Sequence, residues 1–190
     1  SLPQRQRVSE SLILIPDRLT PPADIEQSEL GADARLVLGT TSVASDIADS
    51  VWSAADAIIA WHDIGLTAEV IDKLDRCRVI VRCGAGYDNV DLRAAGARGI
   101  PVCNVPDYGT ADVADHTMAL LLALMRGLPA YDAGARRPDG WVWSAAGPLR
   151  RVSGLTLGII GLGRIGSAVA LRAKAFGLRV IFFDPYLADG

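Results

Sequence analysis

Gly161-Leu162-Gly163-Arg164-Ile165-Gly166 follows the apolar run Leu155–Ile160, and glycines at this spacing could hold a diphosphate. Gly161 permits a tight turn out of a strand, Gly163 lets backbone N–H groups come close to an anion, and Gly166 lets the following helix pack against the strand. The free amides and positive dipole end of that helix then face the negative charge. A second strand-like run, Arg179–Phe183, ends at Asp184. This is about 20 residues beyond Gly163, where a carboxylate would accept hydrogen bonds from the hydroxyls of an adenosine ribose. An acid at that place repels a 2′-phosphate, so the expected cofactor is NAD rather than NADP. A lone glycine-rich turn says little, but here the strand before, the helix after, the second strand and the acidic end agree. The pattern names a cofactor and leaves the reaction open.

A second glycine-rich turn, Gly84-Ala85-Gly86-Tyr87-Asp88-Asn89-Val90-Asp91, follows the run Val79–Cys83, with Arg82 just inside that run. Its amides could hold an anion, or it is simply a tight strand-to-helix turn with Asp91 as the next helix cap; spacing alone leaves both readings open. His62 stands beside Asp63 at a strand end and is read either as a substrate contact or as a partly exposed loop residue. His116, one turn after Asp112, is read as the partner of an ion pair on a helix. Neither histidine has a glutamate placed to orient it as a proton donor. Cys77, Cys83 and Cys103 match neither zinc-ligand spacing nor a redox pair, so buried free thiols and no metal site are expected.

Short apolar runs must position these turns: Leu12–Ile15, Ala34–Leu38, Ala57–Trp61, Val79–Cys83, Pro101–Asn104, Leu155–Ile160 and Arg179–Phe183. Runs this short, separated by helical patterns, are the mark of buried parallel strands, so the fold class is α/β. Thr67 is placed to cap a helix with Val70, Ile71 and Leu74 on its apolar face, and Asp91 to cap one that ends near Gly99. Thr110 is the expected cap of a long helix to Arg126, apolar on nearly every side after His116 and therefore expected to be covered all round. A domain boundary is placed near Thr110, giving residues 1–109 and 110–190. Pro129–Arg151 has the glycine and proline content of a connection with one irregular helical piece. After Gly163, a helix with Ile165, Val169, Ala173 and Phe176 on one face is stopped by Gly177.

Half of the 190 residues are hydrophobic, 22% are charged and the formal charge is −3. The basic residues are scattered, without interleaved aromatics, which disfavours nucleic acid as a partner. The longest stretch free of charged residues, Val152–Gly163, is too short to span a membrane. The opening Ser1–Glu10 is polar and lacks a secretory pattern, so a cytoplasmic protein is expected. The absence of an initial Met makes the start look processed or cut.

Trp61–Thr67 (WHDIGLT), Val79–Asp91 (VIVRCGAGYDNVD), Val102–Pro106 (VCNVP), Val113–Thr117 (VADHT), Gly158–Gly177 and Phe182–Gly190 recur in order in one family. On these motifs the chain resembles the D-isomer-specific 2-hydroxyacid dehydrogenases, and within them the corepressor branch of the C-terminal-binding proteins. The likeness runs from about Ala57 to the end.

The resemblance implies two doubly wound parallel-sheet domains, flavodoxin-like and Rossmann, the second present only in its first part, with the active site in the cleft between them. It implies a substrate-binding loop in which Gly84, Ala85 and Gly86 offer amides to the substrate carboxylate and Arg82 adds a charged donor. His62 would fall at the cleft. Many relatives have Ser or Thr at Ala85, so the cofactor contact there is reduced to backbone. Arg164 and Ile165 would hold the pyrophosphate through their amides, and Thr117 would reach the nicotinamide side. The implied catalytic Arg, Glu and His lie beyond residue 190, so the chain is expected to be the front part of a longer one. The leading expectation is an NAD-dependent enzyme acting on a small 2-oxo or 2-hydroxy acid, assembled as a homodimer through the Thr110–Arg126 helix. The alternative is an NAD(H)-sensing scaffold with little turnover.

Overall fold

The computed structural model describes residues 10–187. Positions 1–9 of the polar opening and positions 188–190 of the closing motif lie outside the described residues. The chain divides into two compact units, Ser1–Pro106 and Asp107–Gly190.

Among the described residues of the first unit, five strands alternate with helices. They are β1 (Ser11–Ile15), α1 (Asp24–Leu30), β2 (Ala34–Leu38), α2 (Asp49–Ala54), β3 (Ala57–Ala60), α3 (Ala68–Ile71), β4 (Ile80–Arg82), α4 (Leu92–Ala97) and β5 (Val102–Asn104). All strand pairs are parallel, in the order β2-β1-β3-β4-β5. This is the flavodoxin-like order, which sends every loop that follows a strand to one edge of the sheet. Leu14, Ile58 and Ile80 on the strands and Trp52, Ile71 and Leu74 from the covering segments are buried in one core. Each such side chain contributes roughly 1.5–3 kcal/mol on leaving water. Asp56, also buried, ties the start of β3 to β1 by accepting from the Leu12 amide and from Arg76, both at 2.9 Å.

The second unit contains α5 (Thr110–Met125), α6 (Leu128–Ala135), β6 (Thr156–Ile160), α7 (Arg164–Ala175) and β7 (Arg179–Phe183). Strands β6 and β7 are parallel, so β6-α7-β7 is a βαβ unit, packed on α5 through Ala114, Met118, Val169, Ala173 and Leu178.

Several local expectations change. Ala57–Trp61 loses its last residue because the Trp61 amide leaves the ladder to donate to Asp17. Asp91 caps α4, accepting from the Ala94 amide at 2.9 Å. Thr67 stands at the start of α3 without a side-chain cap bond, and Gly109, not Thr110, occupies the cap position of α5. Helix α5 buries Ala114 and Met118, and among the described residues its Val113, Leu120 and Leu124 are exposed. On α7 the face buries at Val169 and Ala173, while Ile165 and Phe176 at its two ends stay exposed. Of the thiols, Cys77 alone is buried; Cys83 is half-buried and Cys103 exposed. No helix among the described residues is long and apolar enough to cross a membrane, and none of their acidic, Cys and His side chains cluster as metal ligands.

Candidate functional site

The glycine-rich turn of the second unit runs from β6 into α7. Gly161 has φ +88°, a left-handed conformation open to glycine at little cost. A Cβ at Gly166 would run into the Gly161 carbonyl oxygen and approach Ile159, so this glycine keeps the helix close to the strand. Gly163 differs from both. Its φ is −72° and a Cβ there would meet no protein atom within 4 Å, so neither strain nor internal packing demands a glycine. What its missing side chain keeps open is the space in front of the helix N-terminus, where an anionic group could be held.

Asp184 follows β7 and is drawn onto this turn. Its Oδ2 accepts from the Leu162 amide at 2.7 Å, and its Oδ1 accepts from the Tyr186 amide at 2.9 Å. The Leu162 amide is therefore engaged by the acid rather than left for a phosphate, while each carboxylate oxygen keeps a second lone pair for a hydroxyl donor. Arg164 and Ile165 open α7. Beside them lies a cavity of about 360 Å³ lined by Thr117, Leu121, Ile159, Gly161, Ile165 and Val169. The Thr117 hydroxyl donates to the Val113 carbonyl within α5 at 2.7 Å.

In the first unit the turn after β4 is shaped by the end of β5. The Val105 amide donates to the Gly84 carbonyl at 3.0 Å, and Asn104 Nδ2 donates to the Ala85 carbonyl at 2.8 Å. In a trans peptide the N–H points opposite to the C=O. Holding these two carbonyls therefore turns the Ala85 and Gly86 amides away from β5. The Gly84 amide is not part of this pair, because it donates to the Arg82 carbonyl at 2.9 Å. Arg82 lies over Gly84: a Cβ at Gly84 would run into its guanidinium, which also donates to the Cys83 carbonyl at 3.2 Å. Arg82 Nε is buried without a partner among the described residues, a donor held in place with its capacity unspent. Of the two open readings of this turn, the Asp91 cap is present, and Arg82 Nε is a donor that an anion there could use. Burial raises the Cys83 thiol above its ordinary range, the nearby Glu26 charge adding to this and Arg82 opposing it, so it stays a neutral neighbour of these donors.

His62 lies in the loop after β3 with its side chain 71% exposed and its Nε2 3.6 Å from Asp63. The backbone around it is held by Asp17, which accepts from the Trp61, Asp63 and Ile64 amides, and by Asn89, which donates to the Trp61 and Ile64 carbonyls. Asn89 belongs to the 84–91 turn, so His62 and that turn are brought together at one sheet edge. Asp17, Asn89 and Asn104 had no signal in the sequence as part of a site beyond lying at strand ends and in the turn. The expected pairing of His116 with Asp112 is absent: His116 is exposed, and the cation near that face, Arg172, pairs with Asp115.

Among curated proteins, the chain is 41% identical over 138 residues to D-3-phosphoglycerate dehydrogenase of Methanocaldococcus jannaschii, covering 70% of this chain and 25% of that protein. It is 40% identical over 151 residues to C-terminal-binding protein 1 of Caenorhabditis elegans, covering 76% of this chain and 21% of that one. Among solved structures it is similar to D-lactate dehydrogenase from Aquifex aeolicus complexed with NAD and lactic acid, with a TM-score of 0.81 and 29% identity over 94% of this chain and 53% of that chain. The NADPH-dependent glyoxylate/hydroxypyruvate reductase of Sinorhizobium meliloti, in complex with citrate, gives a TM-score of 0.78 at 31% identity, covering 95% of this chain and 56% of that one. The chain thus spans about a quarter of the length of these curated relatives and a little over half that of the solved ones. The family described as D-isomer specific 2-hydroxyacid dehydrogenase, catalytic domain, matches residues 14–178, and the chain belongs to that family.

Proposed function

We propose that this chain supplies the substrate-binding unit and the first part of the cofactor-binding unit of an NAD-dependent oxidoreductase acting on a small D-2-hydroxy acid or its 2-oxo form. The observation that carries the reading is Gly163, a glycine that the fold itself does not require, placed at a helix start with Asp184 fixed beside it. The nicotinamide, when bound, supplies the hydride donor or acceptor. Gly161, Gly163, Gly166 and the Arg164 and Ile165 amides hold the diphosphate, and Thr117 lies toward the nicotinamide side. Asp184 takes the adenosine ribose and, as an anion, disfavours a 2′-phosphate, which supports NAD over NADP. Leu162 contributes by fixing Asp184.

In the first unit the Ala85 and Gly86 amides and Arg82 bind the substrate carboxylate, orienting its C2 by charge-assisted hydrogen bonds, and His62 contacts the substrate. Gly84 serves by leaving room for the Arg82 guanidinium, and Ala85 meets the cofactor through backbone alone. The general acid/base and the polarising arginine are assigned to the whole protein rather than to these residues. The exposed Val113, Leu120 and Leu124 on α5 support a homodimer.

The 40% identity to C-terminal-binding protein 1 favours a second reading, an NAD(H)-dependent scaffold with little turnover. The two are separated by mixing the full-length protein with NADH and a panel of 2-oxo acids while following NADH absorbance. Turnover of a 2-oxo acid supports the dehydrogenase; tight NADH binding with no turnover of any of them supports the scaffold.

A further inference from the structure

The sheet of the first unit changes direction between β1 and β3, and in sheets of this order the crevice beyond the carboxyl ends of two such strands is where ligands bind. Here the chain fills that crevice itself. Asp17, just past β1, is 2% exposed. Its Oδ2 accepts from the Trp61 amide at 2.8 Å, and its Oδ1 accepts from Asp63 at 2.8 Å and Ile64 at 3.0 Å, all three from the segment just past β3. Convergent backbone N–H groups of this kind make an anion site, and the anion is a side chain of the same unit.

The opposite side of the same segment is gripped by Asn89. Its Nδ2 donates to the Trp61 carbonyl at 3.0 Å and the Ile64 carbonyl at 2.9 Å. The Leu66 amide donates to the Asn89 carbonyl at 2.7 Å and the Asp91 amide to the Leu66 carbonyl at 2.9 Å, closing the seam to the 84–91 turn. Among the described residues the His62 side chain makes no hydrogen bond beyond its loose approach to Asp63, so its place is set by the backbone on either side of it.

We infer that Asp17 and Asn89 form a buried clamp that positions His62 against the turn carrying Ala85 and Gly86, and so act as positioning residues for recognition of the substrate acid. The inference rests on the reading of the Arg82–Gly86 turn as the substrate carboxylate site. The clamp joins two loops that otherwise end on separate strands. Without the Asp17 carboxylate three amides lose their acceptor, and the 61–64 segment is held from the Asn89 side alone.

The test uses the full-length protein saturated with NADH and titrated with oxamate, a non-reducible analogue of a 2-oxo acid, together with steady-state kinetics on the 2-oxo acid it reduces best. Asp17→Ala and Asn89→Ala are expected to weaken oxamate binding, and to raise KM, by about tenfold or more, with NADH affinity within about twofold of wild type. Asp17→Asn, which keeps one acceptor oxygen, should recover part of the loss. If Asp17→Ala does not fold, Asn89→Ala alone decides, since its own bonds lie on the loop carbonyls. Variants with a lowered melting temperature but unchanged oxamate affinity and KM would overturn the clamp. Arg82→Gln separates the two ideas. Loss of oxamate binding in Arg82→Gln with none in the clamp variants keeps the carboxylate site and removes the clamp. The reverse pattern keeps the clamp and removes the Arg82 guanidinium from the carboxylate site, leaving the Ala85 and Gly86 amides as its donors.

Discussion

Asp184 Oδ2 accepts the Leu162 amide at 2.7 Å, so the acid that ends β7 is fastened to the glycine-rich turn that starts α7. The two features that suggest a dinucleotide, a diphosphate cradle and an acid for a ribose, are thereby one rigid object. The Tyr186 amide on the other oxygen sets the carboxylate plane, which leaves its remaining lone pairs in fixed directions.

Replacing Asp184 by Ala removes both the ribose acceptor and the tie to Leu162. A hydrogen bond to a charged group is worth roughly 1.5–3 kcal/mol, so the Kd for NADH should rise about tenfold to a hundredfold. NADPH should lose less, because the repulsion of its 2′-phosphate disappears with the acid. Fluorescence titration with both cofactors reads the ratio; equal losses would show that Asp184 does not face the ribose.

Gly163 and Gly166 should respond in opposite ways to the same methyl group. Gly166→Ala forces the helix off the Gly161 carbonyl and should lower the melting temperature, an overpacking cost of about 1–3 kcal/mol. Gly163→Ala meets no protein atom and should leave the melting temperature of the free protein near wild type while weakening NADH binding by about tenfold or more. Differential scanning calorimetry with and without NADH checks both.

Asn104→Ala releases the Ala85 carbonyl and with it the direction of the Gly86 amide. At about 1 kcal/mol for a neutral hydrogen bond, KM for the 2-oxo acid should rise roughly fivefold with kcat little changed. An unchanged KM in steady-state assays would mean that the amide pair does not hold the substrate.

Asp56 links stability to pH. The Leu12 amide, and secondarily Arg76, hold its carboxyl below the ordinary 3.8 against the opposing effect of burial. A pKa lowered on folding means that the stabilisation is complete above the unfolded value and is lost as pH falls through the folded one, that is, below 3.8. Asp56→Ala should cost roughly 1–2 kcal/mol at neutral pH, mostly through the Leu12 amide left without its acceptor, since Arg76 is 59% exposed and screened by solvent. The deficit should shrink in acid, measured as urea midpoints against pH.

Local requirements were readable in the sequence and distant ones were not. The Gly161 turn, the Asp91 cap and the short apolar strands each depend on a few neighbouring residues, and the structure has them at those places. Strand ends shifted by one residue where hydrogen bonds continue past the regular ladder, as from the Ile58 amide to the Val79 carbonyl and from the Cys83 amide to the Ala60 carbonyl. Thr110 looked like a cap because threonine often is one, but the chain enters the helix one residue earlier at Gly109. Asp17 and Asn104 were invisible as site residues: their partners lie far along the chain and meet them only when β1, β3, β4 and β5 stand side by side. The all-round apolar character of α5 was legible, but what covers its Leu120 and Leu124 face was not, since these side chains stay exposed among the described residues.

The most direct test of the account is titration of the full-length protein with NADH, followed by nucleotide fluorescence and by melting temperature, beside a Gly163→Val variant. Saturable binding that raises the melting temperature of the wild type and is lost in the variant is the predicted result. A wild-type protein whose fluorescence and melting temperature do not respond to NADH, or a variant that binds as well as wild type, would contradict it.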